Sequence, residues 1–362
     1  MFRPKVLLVS FAPKHSSSLN RIADCVGGSF DLEVYDSATD KVTETIGQRL
    51  FSMKFPKLLI SLMRSDADVL WAWGLDACFL VTLAALMKPS VRLIWDITDL
   101  NPRVLARGFG AALLRKAEWT LLKRANLLLL TSEAFYDNYY CGHIDRDRVK
   151  IIENLLPGAP GTIGEVQALA PCIIVFSGIF RSLVVLRVLR HVAELMEGKV
   201  VFHLHGYPDR TIPLDTFNEV VGGCSWVHFF GRFKPEELPA IYDRAHLTWA
   251  FVDPEANDNE RWLLTNRIYN AVAFGRPALA NSEVYIGEVV SSRGIGVTCR
   301  LDAVEIAAAI RGLVENGGEG YRNLKKLMPL PQSAYLAGHY RELIDRFLIG
   351  GSKLGRIGHS VN

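Results

Sequence analysis

The first turn that follows a predicted strand in this chain contains no glycine. Val6 to Ser10 is apolar without alternation, the pattern of a buried parallel strand. Phe11-Ala-Pro-Lys-His-Ser-Ser-Ser18 then leads into a helix expected over 19–26. A dinucleotide-binding fold needs Gly-x-Gly-x-x-Gly at that turn, for a tight bend and close approach of a pyrophosphate. Its absence argues against an NAD enzyme. Also missing is any Cys-x-x-Cys pair. The six cysteines (Cys25, Cys78, Cys141, Cys172, Cys224, Cys299) are scattered, which argues against a zinc site or a disulfide framework and fits a reducing cytosol. The longest apolar run, Ala77 to Met87, is interrupted by Thr82 and is too short to span a bilayer. Met1 to Ser10 has basic residues before a short strand and no signal-peptide core. The formal net charge of +3 is too small to argue for a nucleic-acid partner, and none is expected. No repeat of solenoid period and no low-complexity block occurs.

What is present is length and apolar content. The chain has 362 residues, 49% hydrophobic and 22% charged, enough for about two globular domains with sizeable cores. Short apolar runs alternate with helical patterns: Leu32–Tyr35, Asp68–Trp73, Val91–Asp96, Asn126–Ser132 and Val149–Asn154 in the first half. After Leu156-Pro-Gly-Ala-Pro-Gly-Thr-Ile-Gly164, dense in proline and glycine, the pattern restarts at Cys172 to Gly178. This is the signature of doubly wound α/β domains. The expected organisation is a first domain over 1–155, a linker over 156–171 and a second domain over 172–331. A helix over 332–349 and a flexible tail over 350–362 would follow.

Glu260 to Ala280 reads as a loop, a helix and a buried strand. Thr265 or Asn266 suits the N-cap, Gly275 suits the helix end, and Pro277 cannot continue it. A helix start carries free N–H groups and a positive dipole end, a natural seat for phosphate; Arg267 and Arg261 stand ready to add charge-assisted contacts. An ordinary capped helix beside a strand is the plainer alternative. Asp96-Ile-Thr-Asp-Leu-Asn-Pro102 leaves the fourth strand at its carboxyl end, where open α/β sheets bind ligands. Asp99 and Asp96 are therefore active-site candidates, the alternative being a helix cap or an Asx-turn. His203 and His205 share a strand face, but no third metal ligand with sensible spacing accompanies them, and no metal is expected.

Thr265-Asn-Arg-Ile-Tyr-Asn-Ala-Val-Ala-Phe-Gly-Arg-Pro-Ala-Leu-Ala280 resembles the donor-binding helix of GT-B glycosyltransferases, in particular the large retaining family 4. The order of the other elements, including Asn154 before the linker, extends the likeness over nearly the whole chain. That resemblance implies two Rossmann-like doubly wound domains facing a central cleft. The first would bind the acceptor, with Asp99 as a cleft carboxylate and Asp96 second to it. The second would bind the nucleotide sugar, and the 332–349 helix would cross back to the first. It further implies donor contacts from Gly178, Arg181, Gly206, Arg232, Phe233, Glu255, Thr265, Asn266 and Arg267. Arg181 would substitute for a family lysine absent here, and Glu255, Asp258 or Glu260 for a family Glu–seven residues–Glu pair that this chain replaces with Trp262 and Asn270. The implied activity is transfer of a hexose-like sugar from a UDP- or GDP-linked donor to a saccharide or polyprenyl-diphosphate-linked saccharide, in bacterial surface-polysaccharide assembly. Retention of configuration and no metal or other cofactor are implied with it. A sugar-nucleotide epimerase and a non-catalytic subunit of the same fold are the alternatives. A cytoplasmic protein is expected. Two basic stretches, Lys54–Arg64 and Pro102–Arg124, with leucine, tryptophan and phenylalanine interleaved, raise peripheral contact with the cytoplasmic face of the inner membrane; a solvated exterior helix is the plainer reading of the second.

Overall fold

The computed structural model describes residues 5–11, 31–36, 54–156, 164 and 169–329. The 12–18 turn, the 19–26 helix, most of the linker, the 332–349 helix and the 350–362 tail expected from sequence lie outside these residues. Contacts divide the chain into two compact units, with the break between Glu153 and Asn154.

The first unit runs β1 (Lys5–Ser10), β2 (Asp31–Asp36), α1 (Lys54–Arg64), β3 (Val69–Trp73), α2 (Leu75–Leu86), β4 (Arg92–Ile97), α3 (Phe109–Leu122), β5 (Leu127–Leu130) and β6 (Val149–Ile151). Its six strands form one parallel sheet in the order β2-β1-β3-β4-β5-β6. Strands covered on both faces have no reason to alternate, so β5 reads Leu-Leu-Leu-Leu and is buried throughout. Two large indoles lie at the centre and have their N–H groups satisfied, as burial demands. Trp71 Nε1 donates to Asp96 Oδ2 at 3.2 Å and Trp95 Nε1 to Thr82 Oγ1 at 3.0 Å. Gly108, at φ 110°, is the N-cap of α3, and a separate turn over Pro102–Leu105 precedes it, so the basic segment is broken at Gly108, whereas Gly110 lies inside α3.

The second unit runs β7 (Cys172–Phe180), α4 (Leu183–Leu195), β8 (Val200–Pro208), α5 (Leu214–Gly222), β9 (Val227–Gly231), α6 (Leu238–Asp243), β10 (Leu247–Trp249), α7 (Asp258–Trp262), α8 (Asn266–Ala273), β11 (Ala278–Asn281), α9 (Tyr285–Ser292), β12 (Gly296–Cys299), α10 (Ala303–Val314) and α11 (Glu319–Leu327). These strands form a second parallel sheet in the order β12-β11-β10-β7-β8-β9. Phe176, Phe180, Phe202, Phe217 and Trp249 fill one side of it against α4, α5 and α10. The sequence pattern ends β7 at Gly178, but the strand runs on to Phe180 and pairs with β8 as far as Pro208. Gly178 stands opposite Gly206, and a Cβ on Gly206 would come within 1.7 Å of the Gly178 carbonyl oxygen. The two strands can run side by side there only because the residue is glycine. Arg276, inside the Gly-Arg-Pro turn after α8, is 1% exposed. It donates to the carbonyls of Tyr242, Gly164 and Asp243, tying α8 to the end of α6.

Candidate active site

Strand order in the second unit fixes where a ligand has room. β7, β8 and β9 progress one way along the sheet, whereas β10 lies on the other side of β7. The chain therefore leaves β7 and β10 in opposite directions and opens a crevice at their carboxyl ends. Three segments meet at that point: 178–182 at the end of β7, 250–253 after β10, and the start of α8.

Side chains tie them together. Ser182 caps α4, accepting from the N–H groups of Val184 and Val185, and its hydroxyl donates to Asp253 Oδ2 at 2.6 Å. Asn281, buried at the end of β11, accepts from Val252 N and donates to Val252 O, fixing the exit of β10. Arg181 Nη1 lies 3.4 Å from Glu260 Oε1; the arginine side chain is 47% exposed and the carboxylate 11%. Glu260 sits on α7, which Asn257 caps by accepting from Glu260 N. The segment 253–261 thus contains the start of a short helix that turns Glu260 inward.

Arg267 occupies the first turn of α8 but does not reach outward. It is 9% exposed, donates to the Phe251 carbonyl at 3.1 Å, and rests 4.6 Å from the centre of the Phe176 ring. Burial lowers its pKa to about 10, with Glu260 opposing the shift, so it stays charged at neutral pH. Its Nε has no hydrogen-bond partner among the described residues, and neither does the buried hydroxyl of Thr265. Thr265 is the N-cap of α8 by backbone geometry, yet its side chain makes no capping bond. The free amides of this turn are therefore not satisfied by the cap residue.

The structure brings Gly178, Arg181, Thr265, Asn266 and Arg267 to this crevice, with Gly206 beside Gly178. Gly178 has φ 123° and open space where a Cβ would stand. Arg232 and Phe233 follow β9, and the Arg232 guanidinium stacks 3.7 Å from the Tyr207 ring centre. Glu255 stands in solvent: its side chain is 89% exposed and lies 3.9 Å from Arg261 Nη1. Asn270, at one position of the missing carboxylate pair, is buried and hydrogen-bonded to the Tyr242 side chain. His203 and His205 do share a face, joined there by His228 and Phe230. Burial and the neighbouring histidines pull His203 down to about 4, so its ring is neutral at physiological pH.

In the first unit Asp99 is exposed in the loop after β4. Asp96 is different. It lies within β4, 3% exposed, and holds the Trp71 indole rather than displaying its carboxylate at the sheet edge. Sequence reasoning missed the Ser182–Asp253 bond and the Asn281 clamp. Ser182 stands directly before an apolar helical run, a cap signal that was there to be read. Nothing local in the sequence marks Asn281.

No family model matches the chain. The succinoglycan biosynthesis protein ExoL of Rhizobium meliloti (strain 1021) is 27% identical over 267 residues, 68% of this chain. The chain spans 63% of the length of that curated relative. Among solved structures, sucrose-phosphate synthase from Thermosynechococcus elongatus has a TM-score of 0.70 at 12% identity, over 98% of this chain and 100% of that one. The lipopolysaccharide outer core galactosyltransferase WaaB in its apo form has 0.65 at 8%, over 96% and 99%. An S. aureus MnaA–UDP co-structure has 0.63 at 10%, over 99% and 100%. At such identities the likeness establishes the fold: two Rossmann-like α/β domains of GT-B type.

Proposed function

We propose that this chain is a glycosyltransferase that moves a sugar from a nucleotide-diphosphate sugar to a saccharide acceptor in bacterial surface-polysaccharide assembly. The observation that carries this reading is the crevice at the carboxyl ends of β7 and β10. There an amide-rich helix start with no side-chain cap, an exposed arginine and a glycine with open space converge. The fold shared with WaaB and MnaA and the sequence likeness to ExoL support it, as does the resemblance of Thr265–Ala280 to family 4.

In this reading the donor diphosphate lies against the first turn of α8, where free amides and the dipole favour negative charge. Arg181 contributes the solvent-facing cation. Arg267 acts from beneath as a buried charge and fixes the turn's position. Glu260 orients Arg181, and together with Asp253 takes the place of the absent carboxylate pair near ribose and sugar. Gly178 leaves room for the phosphates to approach backbone, while Arg232 and Phe233 read the base. Departure of the nucleoside diphosphate is the step that needs charge stabilisation, and preorganised amides with arginines supply it without reorganisation. Asp99 contacts the acceptor. Retention of configuration follows the family likeness; if the product is inverted, Asp99 is the natural general base. The acceptor class we favour is a saccharide on a polyprenyl diphosphate.

The test is calorimetry with UDP, GDP and ADP, followed by transfer assays with the matching sugars. Arg181→Ala is expected to weaken nucleotide-diphosphate binding by about 1.5–3 kcal/mol, the range for a hydrogen bond to a charged group. Asp99→Asn is expected to leave that binding unchanged and to abolish transfer. Unchanged affinity in the first variant, or full transfer in the second, removes the corresponding role. Release of a free, altered sugar in place of a joined product would assign the site to epimerisation.

A further inference from the structure

We infer that the outer face of the first unit's α1–α2–α3 layer docks on an anionic lipid bilayer. Strand order and inter-helix contacts set these helices side by side, α1 against α2 and α2 against α3, as right-handed crossovers on one side of the sheet require. Among the described residues of the first unit, every exposed large hydrophobic side chain belongs to this layer. They are Ile60 on α1, Leu83, Leu86 and the adjoining Met87 on α2, and Phe109 and Leu113 on α3. Phe109 is 86% exposed and Met87 68%. An apolar set concentrated on one layer marks a contact surface, whereas scattered apolar residues do not.

The charge of that face selects the partner. Residues 102–124 carry six basic side chains and a single acid, Glu118. On a helical wheel the charges look spread around the axis, which favours a plain solvated helix. In the folded chain Glu118 is 1% exposed, turned inward to accept from the hydroxyls of Tyr139 and Tyr140 at 2.6 and 2.7 Å. The acid is thereby removed from the surface. What remains exposed is Arg103, Arg107, Lys116, Lys123 and Arg124, with Lys57 and Arg64 on α1. None of the three helices displays an exposed carboxylate. Exposed carboxylates flank this layer at Asp66, which pairs with Lys5, and at Asp99, and the seven exposed cations outnumber them. Apolar side chains among an excess of cations match the two parts of a lipid interface, acyl chains just below anionic headgroups. Among the described residues no helix is long and apolar enough to cross a membrane, so the contact is interfacial.

The inference does not rest on the sugar-transfer reading, since lipid binding is measured without nucleotide. The full chain is sedimented with vesicles of phosphatidylcholine alone and of phosphatidylcholine mixed with phosphatidylglycerol, at low and high salt. Two variants accompany it: Lys116→Gln/Lys123→Gln/Arg124→Gln, and Leu86→Ser/Met87→Ser/Phe109→Ser/Leu113→Ser. All seven positions are solvent-exposed, and circular dichroism confirms that both variants fold. The parent chain is expected to pellet with the anionic vesicles only, and less at high salt. Loss of three cations should lower partitioning roughly a hundredfold, at about 1 kcal/mol each. The serine variant should keep the salt-sensitive part of binding and lose the rest. Absence of binding to anionic vesicles at low salt overturns the proposal, as does equal binding by the parent and both variants. A dimer in free solution that the serine variant splits also overturns it, because the face would then belong to a second copy of the chain.

Discussion

Glu118 shows how one buried carboxyl sets both a surface and a pH dependence. Burial raises its pKa from the ordinary carboxylate value of 4.5 to about 7, against the opposing effect of the two tyrosine hydrogen bonds. The folded state therefore holds the proton more tightly than the unfolded chain. For a raised carboxyl, stability is greatest below the ordinary value and falls as pH climbs through the window from about 4.5 to 7. Glu118→Gln keeps the shape and removes the titration. Its stability relative to the parent should rise across that window, by up to ~3 kcal/mol, and urea denaturation at several pH values measures it. A constant difference would mean that Glu118 does not titrate there. Arg267 teaches a related lesson. Removing it leaves Glu260 without a nearby buried cation and the Phe251 carbonyl without its donor, so Arg267→Ala should cost about 3 kcal/mol of folding stability before any ligand is added. Arg181, half in solvent, is the cleaner probe of phosphate binding.

At the scale of elements, the paired strands β7 and β8 distinguish a structural glycine from a functional one. Gly206 has φ 149° and no space, because its Cβ would overlap the Gly178 carbonyl. Gly206→Ala should separate the two strands and lower stability by about 3 kcal/mol or more. Gly178, at φ 123°, meets nothing where its Cβ would stand. Gly178→Ala pays only backbone strain, about 1–3 kcal/mol, yet fills the space assigned here to the diphosphate. Thermal melts and nucleotide titrations of both variants separate the effects. If Gly178→Ala binds nucleotide as the parent does, the phosphates do not lie against that residue. The start of α8 belongs to the same scale. Ser182, Asn257 and Asp302 cap their helices with side-chain bonds, whereas Thr265 leaves the amides of α8 to another acceptor.

At the scale of the molecule, two sheets with separate cores make two compact units. The donor contacts proposed here all fall in the second. Saturating nucleoside diphosphate, at a hundred times its dissociation constant, should stabilise that unit by about 2.7 kcal/mol. Hydrogen exchange should slow in segments 176–182, 250–253 and 263–269. Protection confined to the first unit would place the nucleotide there and reverse the proposed division of roles.

The α/β alternation was legible in the sequence because buried parallel strands are short, unbroken apolar runs set between helices. Val6–Ser10, Asn126–Ser132 and Cys172–Gly178 each declare themselves without any partner. The two ends of α8 were legible too, since a polar cap, a terminal glycine and a following proline are local backbone requirements. Burial and side-chain direction were not, because they depend on what packs opposite. Only the folded chain turned Glu118 away from solvent, set Arg267 under its helix instead of in front of it, locked Asp96 onto Trp71 and brought Asn281 to the exit of β10. Each of those outcomes joins residues from separate elements, and spacing along the chain carries no record of which distant side chain will stand across from which.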